Sequence, residues 1–287
     1  MARSRPHSTL IGRKTVRSSV LGIQPRLQPK SSRATKQTIN RYHQLHKRES
    51  VARAAGQEAE AAQLRTEIEA QGGLRSYQEA SKTGQKGSRG GDTSQVLVSW
   101  LKDVPQPLQL LEIGALSAYN ACSRSEIFGS VTRIDLRSQS QGIEQQDFME
   151  RRLPENDEAK FDVISLSLVL NFVGESNARG EMLRRLSQFL RGPAVASTAT
   201  EPTEQPLTPS VFLVLPAACL TNSRYLTQEH FIRIMNSLGF VEVRKRLSAK
   251  LIYYLFVLIG FETRSQSFKK QEINPGPARN NFTIVLD

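Results

Sequence analysis

Cysteine is nearly absent from this chain, which has only Cys122 and Cys219 among its 287 residues. Two cysteines so far apart exclude a disulfide framework and a thiolate metal cluster, and we expect buried thiols in a reducing compartment. Long apolar runs are also missing. The longest, from Leu251 to Gly260, is too short to cross a bilayer, and no apolar signal segment follows the basic start. We expect a soluble intracellular protein without a membrane partner or a metal site.

Acidic residues are scarce at the beginning of the chain. Residues 1–90 contain 18 Lys and Arg against 6 Asp and Glu, whereas residues 91–287 contain 21 of each, so the whole net charge of +12 lies in the first third. A basic segment ahead of a neutral body favours a polyanionic partner such as RNA, because bound cations release counterions condensed on phosphates. A solvated or nuclear-targeting tail would have the same composition.

Composition also predicts the domain organisation. The length suits one α/β domain of about 200 residues with an extension. We predict a disordered basic tail over 1–36, a helical and glycine-rich basic extension over 37–92, a main domain over 93–265 with a low-complexity insertion at 194–210, and a C-terminal tail over 266–287. In the glycine-rich stretch, Lys86 and Arg89 are candidate phosphate ligands, although a flexible linker has the same residues.

Within the main domain, apolar runs alternate with helical periodicity. Buried strands are predicted at 110–113, 131–136, 161–170, 211–215, 240–243 and 251–259, with a further sheet position in 142–149. Helices are predicted at 39–70, 94–101, 179–190 and 227–238. The pattern predicts an α/β fold of the class I, Rossmann-like methyltransferase type, with a seven-stranded, mostly parallel sheet and helices on both faces.

The segment from Leu110 to Leu136 contains the spacing of a nucleoside-binding site. Gly114 follows a buried strand where the chain turns with its backbone close to a ligand, and Asp135 lies 21 positions later at the end of a second strand. A carboxylate there can accept hydrogen bonds from ribose hydroxyls. An ordinary structural βα unit can contain the same two residues.

The glycine pattern distinguishes between cofactors. NAD and FAD need G-x-G-x-x-G so that a pyrophosphate can approach the helix, and this turn has a single glycine. S-adenosylmethionine has no phosphate, so the residues favour a methyltransferase that uses it.

Several segments together resemble a known family. LLEIGALS, RIDL, DVISLSLVLNFV, RGEML, LPAACLTNSRY and LGF, preceded by RYHQLHK and by YQEAS and GQKGSRGGDTS, are similar to the fungal 25S ribosomal RNA adenine-N(1) methyltransferases. The resemblance covers roughly residues 41–256. It implies nucleolar, S-adenosylmethionine-dependent methylation of N1 of one adenosine in large-subunit RNA within pre-ribosomal particles, and it assigns the cofactor to Gly114 and Asp135.

Further residues are assigned by their positions. We predict that Glu112, Asp147, Phe148 and Ser165 complete the cofactor site. Asn171 and Phe172, just beyond the fourth strand, are predicted to hydrogen-bond and stack on an extruded adenine, although Phe172 also suits the core. Beyond the fifth strand, Arg224 and Tyr225 are candidate RNA ligands, while the preceding Asn222 and Ser223 suit a cap and turn.

Methyl transfer is an in-line displacement, and adenine N1 is neutral near pH 7, so we expect positioning rather than a strong base to dominate. Three alternatives stay open. The acceptor could be another RNA or a protein side chain, the chain could be an inactive RNA-binding assembly factor, or it could be a nicotinamide oxidoreductase, which the missing glycines disfavour.

Overall fold

The computed structural model describes residues 32–73, 91–105, 107–138, 140–193, 206–261 and 266–287. Several predictions lie outside these residues. They include the RNA-binding role of Lys86 and Arg89, most of the tail at 1–36, and residues 194–205 of the insertion. These remain predictions.

Seven helices and seven strands occur in the described part of the chain. The helices are α1 (Ser32–Ala54), α2 (Glu58–Ala70), α3 (Ser94–Leu101), α4 (Ala121–Arg124), α5 (Ser176–Phe189), α6 (Ala218–Thr221) and α7 (Gln228–Ser237). The strands are β1 (Leu108–Ile113), β2 (Phe128–Asp135), β3 (Glu144–Gln145), β4 (Val163–Ser167), β5 (Ser210–Pro216), β6 (Phe240–Leu247) and β7 (Leu251–Leu258). A 3₁₀ turn over Leu170–Phe172 follows β4.

The strands form one sheet in the order β3-β2-β1-β4-β5-β7-β6. The pairs from β3 to β5 are all parallel, whereas β7 is antiparallel to both β5 and β6. The first strand, β1, lies in the middle of the sheet. The next two strands, β2 and β3, add to one side of it, and the chain then crosses back to place β4 on the other side. The carboxyl ends of β1 and β4 therefore diverge into separate connections at a crevice, where ligands bind in such sheets. The predicted fold class is confirmed.

Apolar side chains cover both faces of the sheet because successive strand residues point to opposite sides. On one face, Ile164 and Leu213 belong to a buried cluster that extends to α5 and α7. On the other face, Val163 and Phe212 pack with α3, and the Trp100 ring meets Phe212 edge-on with 5.8 Å between centroids. The predicted arrangement of helices on both faces follows from this alternation.

The N-terminal extension folds as a pair of helices. Leu45 and Ala52 of α1 pack against Ala61 and Leu64 of α2 in a small cluster of their own. This confirms the helices predicted at 39–70, but α1 begins at Ser32, inside the stretch predicted as disordered. Ala34 and Lys36, near the start of α1, are favourable helix residues, which agrees with this earlier beginning.

The C-terminal segment differs from the prediction, because residues 266–287 are part of the domain rather than a tail. Phe268, Ile284 and Leu286 are buried in the same cluster as the central strands. The Phe268 and Leu286 backbones also hydrogen-bond to each other. The apolar run FTIVL near the end of the sequence was the signal for this burial.

A glycine in α5 permits this packing. A Cβ built on Gly180 would lie 1.9 Å from the Val285 carbonyl oxygen. The Arg179 guanidinium beside it donates a 2.7 Å hydrogen bond to the Thr283 carbonyl. The Arg-Gly pair of the RGEML motif therefore anchors the C-terminal segment.

We predict that Gly180→Ala destabilises the protein by about 1–3 kcal/mol, the usual cost of overpacking, although alanine in a helix interior normally stabilises. Urea unfolding followed by circular dichroism measures the change. The control is Gly192→Ala, whose Cβ would meet no atom within 4 Å. Stability equal to that of the control would contradict the prediction.

Candidate functional site

The candidate site lies at the carboxyl edge of the sheet, where β1, β2 and β4 end side by side. Ile113, the last residue of β1, pairs with Ile134 of β2 and with Leu166 of β4. Gly114 follows Ile113, and Asp135 follows Ile134. Both therefore lie at the same edge of the sheet as the turn after β4, which contains Asn171. The structure thus brings together three of the predicted site residues.

Gly114 adopts a φ of +75°, a conformation that favours glycine. Its N–H and that of Ala115 both donate to the Ile134 carbonyl, at 2.8 and 3.1 Å. A Cβ at this position would lie 2.4 Å from Cγ2 of Val169. Glycine is therefore required by the packing of Val169 as well as by the turn, and not only by ligand approach as the sequence had indicated.

Asp135 ends β2 with its side chain held in place. Oδ1 accepts a 2.9 Å hydrogen bond from the Arg137 N–H, and the Asp135 carbonyl accepts one of 2.9 Å from Gln146. Leu136 follows with 59% of its surface exposed. A fixed carboxylate beside an exposed apolar side chain suits a nucleoside, which has ribose hydroxyls and a flat apolar base.

Glu112 is a partly buried acid two residues before Gly114. Its carboxylate accepts hydrogen bonds from Asn120 Nδ2 and, at 3.7 Å, from Cys122 Sγ. Burial raises the pKa of Glu112 to about 7, while the nearby Arg133 and the Asn120 hydrogen bond oppose the rise. The group therefore changes charge close to neutral pH. It supports the loop after Gly114 through Asn120, a partner that the sequence did not reveal.

A second acid, Asp92, connects this loop to α3. Its Oδ1 accepts hydrogen bonds from the N–H and Oγ of Ser94, at 2.9 and 2.6 Å, and its Oδ2 accepts one from the Ala121 N–H. Thr93 Oγ1 also lies 2.8 Å from Ser167 Oγ at the end of β4. Asp92 was not among the predicted site residues, although Asp close to a helix start is a signal for capping.

The turn after β4 contains an unsatisfied buried acceptor. Leu168 adopts a φ of +58°, which is uncommon for a residue other than glycine. Three residues later, Asn171 Oδ1 is buried and has no hydrogen-bond partner among the described residues. Leaving such an oxygen unpaired costs about 1–3 kcal/mol. Backbone strain and an orphaned acceptor thus occur together in this turn, a combination that is common at functional sites. Phe172 lies beside Asn171, partly buried.

Two of the predicted cofactor residues, Phe148 and Ser165, are buried, and their role in cofactor binding stays a prediction. The Phe148 side chain is 2% exposed, and its ring packs 5.1 Å from that of Phe189. Ser165 is buried within β4 opposite Glu112, two residues before the strand ends. Neither side chain lies at the open edge, because Ser165 is inside the strand and the phenyl ring of Phe148 is packed in the core.

Asp147 stabilises its own turn, since Oδ1 accepts a 2.8 Å hydrogen bond from the Met149 N–H. This contact fixes the loop after β3. A role for Asp147 in cofactor binding stays a prediction.

The candidate RNA ligands Arg224 and Tyr225 contact the C-terminal segment, and their role in RNA binding stays a prediction. Arg224 donates to the Gly276 carbonyl at 2.8 Å and to Asn281 Oδ1 at 3.0 Å. The Tyr225 ring has Lys270 Nζ 4.5 Å and the Arg224 guanidinium 6.0 Å from its centroid. The alternative of a turn is confirmed, because Ser223 Oγ accepts hydrogen bonds from the N–H groups of Tyr225 and Leu226.

Within the described residues, no group of three or more His, Cys, Asp or Glu side chains is arranged to hold a metal ion. None of the helices described there has the length and apolar character needed to cross a membrane.

Comparison with known proteins identifies the family. The family model described as 25S rRNA (adenine(2142)-N(1))-methyltransferase, Bmt2, matches residues 62–284. A Saccharomyces cerevisiae protein named 25S rRNA (adenine(2142)-N(1))-methyltransferase is 40% identical over 228 residues, 78% of this chain and 63% of the relative. This chain thus spans less than two thirds of that relative's length.

Two further proteins are similar to this chain. A Schizosaccharomyces pombe protein named 25S rRNA adenine-N(1) methyltransferase is 41% identical over 221 residues, 74% of this chain and 76% of the relative. Among solved structures, the Burkholderia thailandensis 1,6-didemethyltoxoflavin-N1-methyltransferase has a TM-score of 0.42 at 13% identity, over 62% of this chain and 85% of that one. The family match and the two yeast relatives agree with the resemblance seen in the sequence, and the chain therefore belongs to the Bmt2 family of 25S rRNA (adenine(2142)-N(1))-methyltransferases.

Proposed function

We propose that this protein transfers a methyl group from S-adenosylmethionine to N1 of one adenosine in large-subunit ribosomal RNA. Family membership supports the reaction, and the buried acceptor Asn171 Oδ1 at the carboxyl end of β4 is the structural observation on which the proposal depends. We also propose that the RNA is met in pre-ribosomal particles in the nucleolus. The basic residues of the first 90 positions support a partner rich in phosphate.

The residues at the carboxyl edge fit the proposed cofactor. Asp135 would accept hydrogen bonds from the ribose hydroxyls, and the exposed Leu136 would contact the adenine. The turn at Gly114, supported by Glu112, would hold the methionine part, whose ammonium favours a nearby carboxylate. When bound, S-adenosylmethionine supplies a methyl group activated by its positively charged sulfur.

Asn171 fits the acceptor base. The exocyclic amino group of adenine is a hydrogen-bond donor next to N1, and an amide oxygen that accepts from it orients the adjacent N1 lone pair. N1 is unprotonated near neutral pH, so no side chain needs to remove a proton before transfer. The protein's task is to align the base, exclude water and stabilise the cationic product. A buried amide dipole suits this task.

The reaction is tested by incubating the full chain with labelled S-adenosylmethionine and large-subunit RNA from cells that lack the enzyme. We expect label in a single 1-methyladenosine, identified by mass spectrometry of nuclease fragments. Parallel reactions with transfer RNA and with total protein test the alternative acceptors. Label confined to either of those would contradict the proposal.

We predict that Asp135→Asn weakens S-adenosylmethionine binding about 10- to 100-fold, because hydrogen bonds to a charged acceptor contribute about 1.5–3 kcal/mol. Isothermal titration calorimetry measures the change. The control is Asp157→Asn in the loop before β4, where Asp157 pairs with Lys160 on the surface. Equal affinities of the two variants would remove Asp135 from the site.

Asn171→Leu separates function from stability. Leucine matches the shape of asparagine without the unsatisfied oxygen, so we predict unfolding free energy at least equal to that of the wild type and kcat lower by about one to two orders of magnitude. Asn171→Asp, which keeps an acceptor, should retain more activity than the leucine variant. Wild-type methylation by Asn171→Leu, with cofactor affinity unchanged, would show that the oxygen does not contact the base.

A further inference from the structure

The end of β6 and the loop that follows it form a strongly basic element. We call residues 244–250 the basic hairpin; it contains Arg244, Lys245, Arg246 and Lys250 and no acidic residue. All four cationic side chains are exposed, and Leu247 between them is 61% exposed. The hairpin lies in the part of the chain whose charges balance overall, so its charge is a local concentration.

The basic hairpin lies at the same edge of the sheet as the candidate site. Because β7 is antiparallel to both β5 and β6, β5 and β6 point in the same direction, and the hairpin joins β6 to β7 at the carboxyl edge. The Ala217 N–H, just after β5, donates a 2.8 Å hydrogen bond to the Lys250 carbonyl. Three strand spacings, about 14 Å, separate β6 from β4, which leads to Asn171.

Two of these cations have no carboxylate partner in the described ranges of the chain. Lys245 lies 3.9 Å from a carboxylate oxygen of Glu242, and Arg244 donates to the Val243 carbonyl. The Arg246 guanidinium lies over the Tyr253 ring at 6.0 Å, and no ion pair forms at Arg246 or Lys250 among those residues. Their charge is available to an external anion.

Charges on an edge strand have a second use, since they prevent pairing with another chain. Protection of the edge strand does not require that all the charges be positive. Nor does it require that they continue into the loop that reaches the end of β5. The location at the ligand edge and the absence of acids favour a polyanion that passes over this edge.

We propose that the basic hairpin binds backbone phosphates of RNA within a few nucleotides of the target adenosine. This rests on the proposed function, which makes RNA the substrate. Phosphate contacts of this kind position the strand and carry no sequence information. The hairpin would thus hold the strand while Asn171 contacts the base.

The test compares two full-length double variants with the same change in charge. Arg246→Gln/Lys250→Gln removes cations from the hairpin, and Arg124→Gln/Lys102→Gln removes one arginine and one lysine near the opposite, amino edge, after α4 and α3. Binding to a dye-labelled fragment of deproteinised large-subunit RNA is measured by fluorescence anisotropy between about 50 and about 200 mM KCl. Circular dichroism and calorimetry with S-adenosylmethionine verify folding.

We expect the slope of log K against log salt to become shallower by about 2 for the hairpin variant, about 1 for each lost phosphate contact. Its KM for RNA should rise while kcat stays unchanged, and the amino-edge variant should behave as wild type. Wild-type slopes in both variants would leave the hairpin with edge protection only. Equal losses in both would indicate a net-charge effect, and either result overturns the inference.

Failure of the proposed function has a different signature. In that case the wild type transfers no methyl group to the RNA, whereas the salt dependence of binding still reports on the hairpin.

Discussion

The candidate site depends on close packing between two turns, the one after β1 and the one after β4. Val169 lies where a side chain on Gly114 would be, 2.4 Å from the Cβ position, and β1 and β4 are hydrogen-bonded neighbours. The turn after β1 and the turn that contains Asn171 are therefore in close contact. This contact explains why glycine is needed at position 114, next to a turn in which Leu168 has a positive φ.

The C-terminal segment contributes buried side chains to the core of the domain, and two sequence motifs are explained by their contacts with it. The Arg-Gly pair in α5 and the Asn-Ser-Arg-Tyr stretch after α6 both hold this segment, through Arg179 to the Thr283 carbonyl and through Arg224 to the Gly276 carbonyl. Arginine is suited to this task because its planar group reaches several carbonyls at once. These polar motif residues near the candidate site thus anchor the C-terminal segment.

The number of charged residues in a segment does not show which of those charges can interact with an external ion. In the N-terminal helices, Glu49 is buried and pairs with Arg65 at 3.1 Å, and Arg48 lies 3.9 Å from Glu60, so part of the positive charge there is neutralised internally. In the basic hairpin, by contrast, the described residues leave Arg246 and Lys250 without ion pairs although residues 91–287 are neutral. Available charge depends on neighbours in space, because ion pairs form between residues distant in sequence.

The sequence by itself determined the fold class, the turn at Gly114, the strand end at Asp135 and the place of Asn171, because strand periodicity and glycine conformation are local properties. Contacts made in the folded chain were needed to show that Phe148 and Ser165 are buried and that Arg224 and Tyr225 contact the C-terminal segment. The same is true of Asp92, which joins α3 to the loop after β1. These roles depend on contacts between residues far apart in the chain. No local pattern contains that information.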